Sequence, residues 1–276
     1  MKFKIGLVIS GVSFLLTIFF FLIFKIVFPG LKIALSYQLI FFLFLAGALS
    51  WGVFDHKSPL FGHNFWRGSK KQPVMSLTFD DGPTEPYTSA ILRILNQYRV
   101  KATFFVLGQK VELYPDSLKK IAADGHEIGN HGYSHEVLPL KSPAKIRSEI
   151  KKTEKLIISL SGQKPELFRA PHGWKGPWLK KTVQKSGYEL VSWTTGVWDT
   201  DRPGEQVIIN RSLKAFKNGA ILLFHDGRGL EKNPDCHQLV AALPVIIESA
   251  LSQGYRLETI SRLIEISRLK LGSHLE

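Results

Sequence analysis

The chain has 276 residues and one cysteine, Cys236. No disulfide can form within it and no cysteine-rich zinc site is available, so any bound metal must rest on His, Asp or Glu. Either side of a membrane remains open as a redox compartment. Acidic residues are in deficit, 23 against 36 basic, which gives a formal net charge of +13. That balance suits anionic neighbours such as phospholipid headgroups or wall polymers. It does not point to nucleic acid, because Lys and Arg are spread out and form no compact block with interleaved aromatics. Internal repeats and low-complexity tracts are missing, which excludes solenoids and disordered arrays. The length suffices for one large core or two small ones.

Polar residues are scarce at the start of the chain. Lys25 is the only charge between Ile5 and Phe28, and a second apolar stretch runs from Ile33 to Phe54. Each exceeds the roughly 20 residues that a helix needs to cross about 30 Å of hydrocarbon. Two transmembrane helices are expected within residues 1–55, with membrane lipids as neighbours. Ala46-Gly47-Ala48 mimics a signal-cleavage site. A secretory apolar core, however, is only ~7–15 residues long and lies near the terminus. Lys2 and Lys4 pull the terminus toward the cytoplasm, Lys25 and Lys32 pull the intervening turn there, and Arg67, Lys70 and Lys71 pull the rest of the chain. These pulls conflict, so the side on which residues 73–276 lie stays open. Residues 56–72 read as a juxtamembrane linker, whose Phe61, Phe65 and Trp66 suit either the headgroup level or packing in the domain.

From Val74 the pattern alternates. Strand-like runs occur at Val74–Phe79, Ala102–Leu107, Glu127–Gly129, Leu167–Arg169, Glu189–Trp193, Ala220–Phe224 and Tyr255–Leu257. Helix-like stretches separate them, at Tyr87–Gln97, Ser117–Ala123, Ala144–Ser159, Trp178–Lys185, Glu205–Ala215 and Leu239–Ser252. Alternation of this kind implies parallel strands joined by crossover helices. About seven units over ~200 residues suit an α/β fold of the (β/α) barrel type, in which chemistry gathers at the C-terminal strand ends.

Charged residues sit at those ends. Asp80 and Asp81 lie between the first run and the stop signal Gly82-Pro83, and carboxylates so placed are costly unless paired or metal-bound. His131 and His135 are four apart, a spacing that one helical turn would bring to a single face for a shared metal. Arg169 ends the fourth run, Asp199 follows the fifth and His225 ends the sixth. A His-His-Asp set with an open position suits Zn²⁺ or a related divalent ion, which acidifies water and polarises carbonyls. Taken singly, each residue has an ordinary alternative: a helix cap for Asp80 or Asp81, turn chemistry for Asp199, a rim histidine for His225.

In their order these segments resemble a known family. Thr78-Phe79-Asp80-Asp81-Gly82-Pro83 resembles the first motif of the polysaccharide deacetylases, carbohydrate esterase family four. His131 to His135 is similar to the second motif, Arg169-Ala170-Pro171-His172-Gly173 to the third and Leu222-Leu223-Phe224-His225 to the last. The likeness runs from Val74 to Leu257 and implies a distorted (β/α) barrel. It implies a metal-dependent enzyme that hydrolyses N-acetyl groups on an amino-sugar polysaccharide and releases acetate. A deacetylase or deformylase of a lipid-linked sugar at the membrane surface is the alternative. Asp81, His131 and His135 would hold a divalent metal, Zn²⁺ by preference. Asp80 would be the base, kept ionised and oriented by Arg169. The His172 amide would help stabilise the oxyanion, His225 would protonate the departing amine, Asp199 would hold His225, and Leu223 would receive the acetyl methyl. The expected partner is an acetylated glycan or lipid-linked sugar, and the expected location is the cytoplasmic membrane of a bacterium.

Three departures stand out. Gly132 replaces the usual Ser or Thr after the first metal histidine, His172 replaces a usual Tyr, and Gly196 and Thr200 stand where the fourth motif has Asp and Trp. The metal loop is therefore expected to be looser, and the acyl pocket is expected to need another wall, with Trp193 or Trp198 as substitutes.

Overall fold

The structure is a computed structural model that describes residues 18–19, 22–27 and 35–268. Most of the first apolar stretch, 5–28, lies outside the described residues. The second forms helix α1, Leu35–Phe54, long and apolar enough to cross a membrane, with most of its surface uncovered.

Among the described residues, eight short strands form one sheet in which every pair is parallel. They are β1 Val74–Asp80, β2 Thr103–Val106, β3 Glu127–Asn130, β4 Leu167–Phe168, β5 Glu189–Leu190, β6 Thr195–Gly196, β7 Ile221–His225 and β8 Arg256–Leu257. Their order is β5-β4-β3-β2-β1-β7-β6, and β8 pairs with the foot of β1. β5 and β6 lie at opposite ends of that path, so the barrel does not close by strand pairing. Phe65 fills the gap, exchanging backbone hydrogen bonds with Leu190 and Ser192. The helices are α2 Tyr87–Gln97, α3 Gly108–Leu113, α4 Pro115–Ala123, α5 Pro143–Ser161, α6 Leu179–Lys185, α7 Glu205–Ala215, α8 His237–Ser252 and α9 Ile260–Arg268.

Every residue of β1 is buried, and its period-2 alternation divides two cores. Met75, Leu77 and Phe79 pack outward with Ile91 and Leu95 of α2 and Ile246 of α8. Ser76, Thr78 and Asp80 alternate with them and so face inward, toward the barrel axis. Below, Ile260 and Leu263 of α9 pack with Val74 and Ile221 and plug the foot of the barrel. That alternation delivers Asp80 to the interior at the upper rim, with Asp81 just past the strand end.

Candidate active site

Asp80 lies in register with His225 of β7, so the two strand ends that carry them are adjacent. The barrel interior beneath is filled by Arg169, which is 0% exposed and has its guanidinium 4.0 Å above the Phe105 ring. Its Nη1 donates to Asp80 Oδ1 at 2.7 Å and Thr78 Oγ1 at 2.8 Å, and its Nη2 donates to Ser192 O at 3.1 Å. A buried guanidinium with no counter-charge would be strongly destabilising. Asp80 is thus fixed in position by the cation it neutralises.

Asp81 leaves the strand with φ of 73°, an unusual conformation that Asp tolerates better than most residues. The Gly229 N–H donates to its Oδ2 at 2.8 Å. That leaves Oδ1, buried and without a satisfactory hydrogen bond, facing His131 Nε2 at 3.4 Å and His135 Nε2 at 3.1 Å. One donor atom from each of Asp81, His131 and His135 lies within 4.8 Å of the other two. An orphaned carboxylate oxygen facing two imidazole nitrogens fits a divalent cation. His131 Nδ1 lies 2.8 Å from Arg169 O; donating there leaves the Nε2 lone pair toward the site. Burial opposes the charge of Asp81, but the two imidazoles and His225 hold its carboxyl well below the usual carboxylate range.

The two histidines do not occupy a helical turn, as their spacing had suggested. The 131–135 segment is a loop in which Gly132 has φ of 83° and His135 φ of 54°. The loop is tied rather than loose. Gly132 N–H donates to Asn130 Oδ1 at 2.8 Å, while Glu149 Oε2 accepts from Tyr133 N at 3.0 Å, Ser134 N at 2.8 Å and Ser134 Oγ at 3.0 Å. A side chain at 132 would be strained by that φ.

Across the rim, Asp199 Oδ1 lies 2.9 Å from His225 Nδ1, and its Oδ2 accepts from the His225 amide at 2.8 Å. Burial disfavours charge on His225, but Asp199, with Asp81 and Asp80 behind it, raises its pKa to about 9. The imidazole is accordingly protonated at neutral pH. Asp199 begins a short 3₁₀ turn, Asp199–Asp201, after Trp198.

The remaining expected residues also converge. His172 lies in the 3₁₀ turn Pro171–Gly173 with φ of 61°, and its ring centroid is 4.5 Å from that of His135. Leu223, buried on β7, and Trp193 flank Gly196: a Cβ there would lie 3.8 Å from Leu223 Cδ2 and 3.5 Å from Trp193 Nε1. Trp193 also occupies the space that a side chain at Gly173 would need. The Trp193 indole, from the segment just before β6, therefore lies beside the position that the fourth motif leaves open. The expected positions gather at one rim and just beneath it.

Glu149 and Gly229 went unread in the sequence. Glu149 had a signal: it interrupts the apolar stripe Ile146, Ile150 and Ile157 of α5 with a charge. Gly229, in the loop after β7, had none. Burial raises the pKa of Asp226 to about 7, against the opposing hydrogen bond that Thr88 Oγ1 donates to it at 2.6 Å.

The barrel and its rim define an α/β barrel protein with a candidate metal site of the two-histidine, one-aspartate type. A family model described as polysaccharide deacetylase matches residues 67–191. A peptidoglycan-N-acetylglucosamine deacetylase of Bacillus cereus is 36% identical over 208 residues, covering 74% of this chain and 93% of that protein. A chitooligosaccharide deacetylase of Bradyrhizobium is 34% identical, covering 68% and 89%. Among solved structures, BA3943 from Bacillus anthracis, described as a CE4 family pseudoenzyme, superposes with a TM-score of 0.66 at 29% identity, covering 72% of this chain and 67% of that one. The chain belongs to the polysaccharide deacetylase family, carbohydrate esterase family four. A pseudoenzyme among its neighbours shows that the fold alone does not decide turnover.

Proposed function

We propose that this protein is a membrane-anchored, metal-dependent deacetylase that hydrolyses N-acetyl groups on the amino sugars of a polysaccharide or glycan and releases acetate. The observation that carries this is the convergence at one rim of three sets: the Asp81–His131–His135 donors, the Asp80–Arg169 pair and the Asp199–His225 pair.

Each set has a task. A divalent cation, Zn²⁺ by the character of the donors, would be held by Asp81, His131 and His135 and would act as a Lewis acid on the acetyl carbonyl. Asp80 takes the proton of the attacking water, and Arg169 fixes the carboxylate so that it needs no reorientation. The His172 amide donates to the developing oxyanion. His225, protonated at neutral pH, gives its proton to the amine nitrogen as the C–N bond breaks, and Asp199 stabilises that protonated form. Leu223 and Trp193 form the apolar wall for the acetyl methyl. α1 anchors the domain in a bilayer.

The test is acetate release by the purified full chain, loaded with Zn²⁺, from peptidoglycan and from N-acetylglucosamine oligomers. Asp80→Asn and His225→Ala should each lower kcat at least ~10²-fold. No acetate from any acylated glycan supplied would overturn the proposal.

A further inference from the structure

α1 does not meet the catalytic domain through a free spacer. The Lys175 amide donates to Val53 O at 3.0 Å, and the buried Lys175 ammonium donates to Ser58 O. Asn64 Nδ2 donates to both His56 O and Ser192 Oγ, and the His56 ring stacks on Trp193 at 4.2 Å between centroids. Residues 53–64 are therefore strapped along the upper rim rather than suspended beside it.

That strap brings the end of α1 close to the reaction centre. Phe54 meets Trp174 edge-on at 5.0 Å, Trp174 meets His172 at 5.1 Å, and His172 meets His135 at 4.5 Å. Three successive ring contacts thus join the last residue of the apolar helix to a metal-ligand histidine. The headgroup layer on each side of a bilayer is roughly 5–8 Å deep. A helix that ends at the hydrocarbon boundary therefore leaves the reaction centre within one to two sugar lengths of the lipid phosphates.

The rim beside this junction also presents apolar surface to solvent. Leu140 is 94% exposed and Val137 42%, both in the loop that follows His135. Pro139 of that loop packs against Gly176, next to Lys175. Trp51, Leu60 and Trp178 are likewise about half exposed around the same junction. A collar of Trp and Leu about the foot of an apolar helix matches the chemistry of a membrane interface.

We propose that α1, the strap and this collar seat the catalytic mouth among the lipid headgroups, so that the amide hydrolysed belongs to an N-acetylated sugar carried on a lipid diphosphate. The proposal rests on the deacetylase reading and adds its substrate class. A sugar on a lipid carrier cannot leave the bilayer and has to be met there.

The experiment uses the full chain, Zn²⁺-loaded, in vesicles of phosphatidylethanolamine and phosphatidylglycerol. Two probes are compared: N-acetylglucosamine on a polyprenyl diphosphate in the same vesicles, and water-soluble N-acetylglucosamine tetramer. The wild type should favour the lipid-linked probe at least tenfold in kcat/KM. A 15-residue Gly/Ser insertion between Phe54 and Asp55, and separately Leu140→Asp, should abolish that preference and leave turnover of the tetramer unchanged. Equal turnover of both probes by the wild type, or a preference that survives the insertion, would overturn the proposal. So would loss of tetramer turnover in the insertion variant, because the strap would then build the site instead of seating it. Failure of the wild type on both probes would instead overturn the deacetylase reading itself.

Discussion

Replacing Glu149 should weaken metal binding although the residue touches no metal ligand side chain. Its carboxylate is 2% exposed and gathers three donors from Tyr133 and Ser134, inside the loop that carries His131 and His135. Glu149→Ala would leave two backbone N–H groups and a hydroxyl without their acceptor. An unsatisfied buried group costs ~1–3 kcal/mol, and these residues are only half-buried, so a total of about 2–3 kcal/mol is expected. Part of that loss appears as lower stability of the metal-free protein. The rest appears as disorder of the histidine pair, and outer-shell changes of this kind cost ~10–100-fold in metal affinity. Glu149→Gln keeps one acceptor oxygen and should recover part of both losses. The assay is Zn²⁺ competition against a chromophoric chelator, alongside thermal unfolding of the metal-free chain. An Ala variant that unfolds earlier yet binds Zn²⁺ as tightly as wild type would refute the reasoning, since Glu149 would then only support the fold.

Arg169→Lys keeps the charge but loses the planar fork that serves Asp80, Thr78 and Ser192 at once, so kcat should fall at least tenfold with KM little changed, as read by steady-state acetate release. Gly132→Ser restores a residue usual in the family, yet at φ of 83° it should cost ~1–2 kcal/mol of stability, measurable by denaturant unfolding. The Asp199–His225 pair, with a folded pKa raised from 6.5 to about 9, contributes stability that is complete below pH 6.5 and is lost as pH rises through 9. With that protonated imidazole as the proposed acid, kcat/KM should fall on the alkaline side. In Asp199→Asn that limb should move to lower pH; an unmoved limb would remove His225 from the role.

Much of this was legible because the strands obey simple rules. The buried run ending in Asp80 and the Gly/Pro stop after Asp81 fixed the first corner of the site, and the alternating helices implied the barrel. α2 and α7 fall at the bounds their periodicity implied. β6 was not readable, being two residues long and held only by its pairing with Leu222 and Leu223. α3 is a six-residue helix with too little pattern to show. α9 was readable, since Ile260, Leu263 and Ile264 follow helical spacing, and it was overlooked beyond Leu257. The histidine pair misled in detail, because a spacing of four also fits a loop when glycine supplies a left-handed residue. Contacts between remote segments, such as Gly229 with Asp81 or His56 with Trp193, leave no mark on local sequence and emerge only from the fold.

The central claim is that Asp81, His131 and His135 jointly hold one divalent cation. The direct measurement is metal content of the purified full chain after Zn²⁺ loading and dialysis, with Asp81→Asn, His131→Ala and His135→Ala treated in parallel. The wild type should retain one Zn²⁺ per chain and each variant should retain almost none while remaining folded. Equal retention by wild type and all three variants would contradict it.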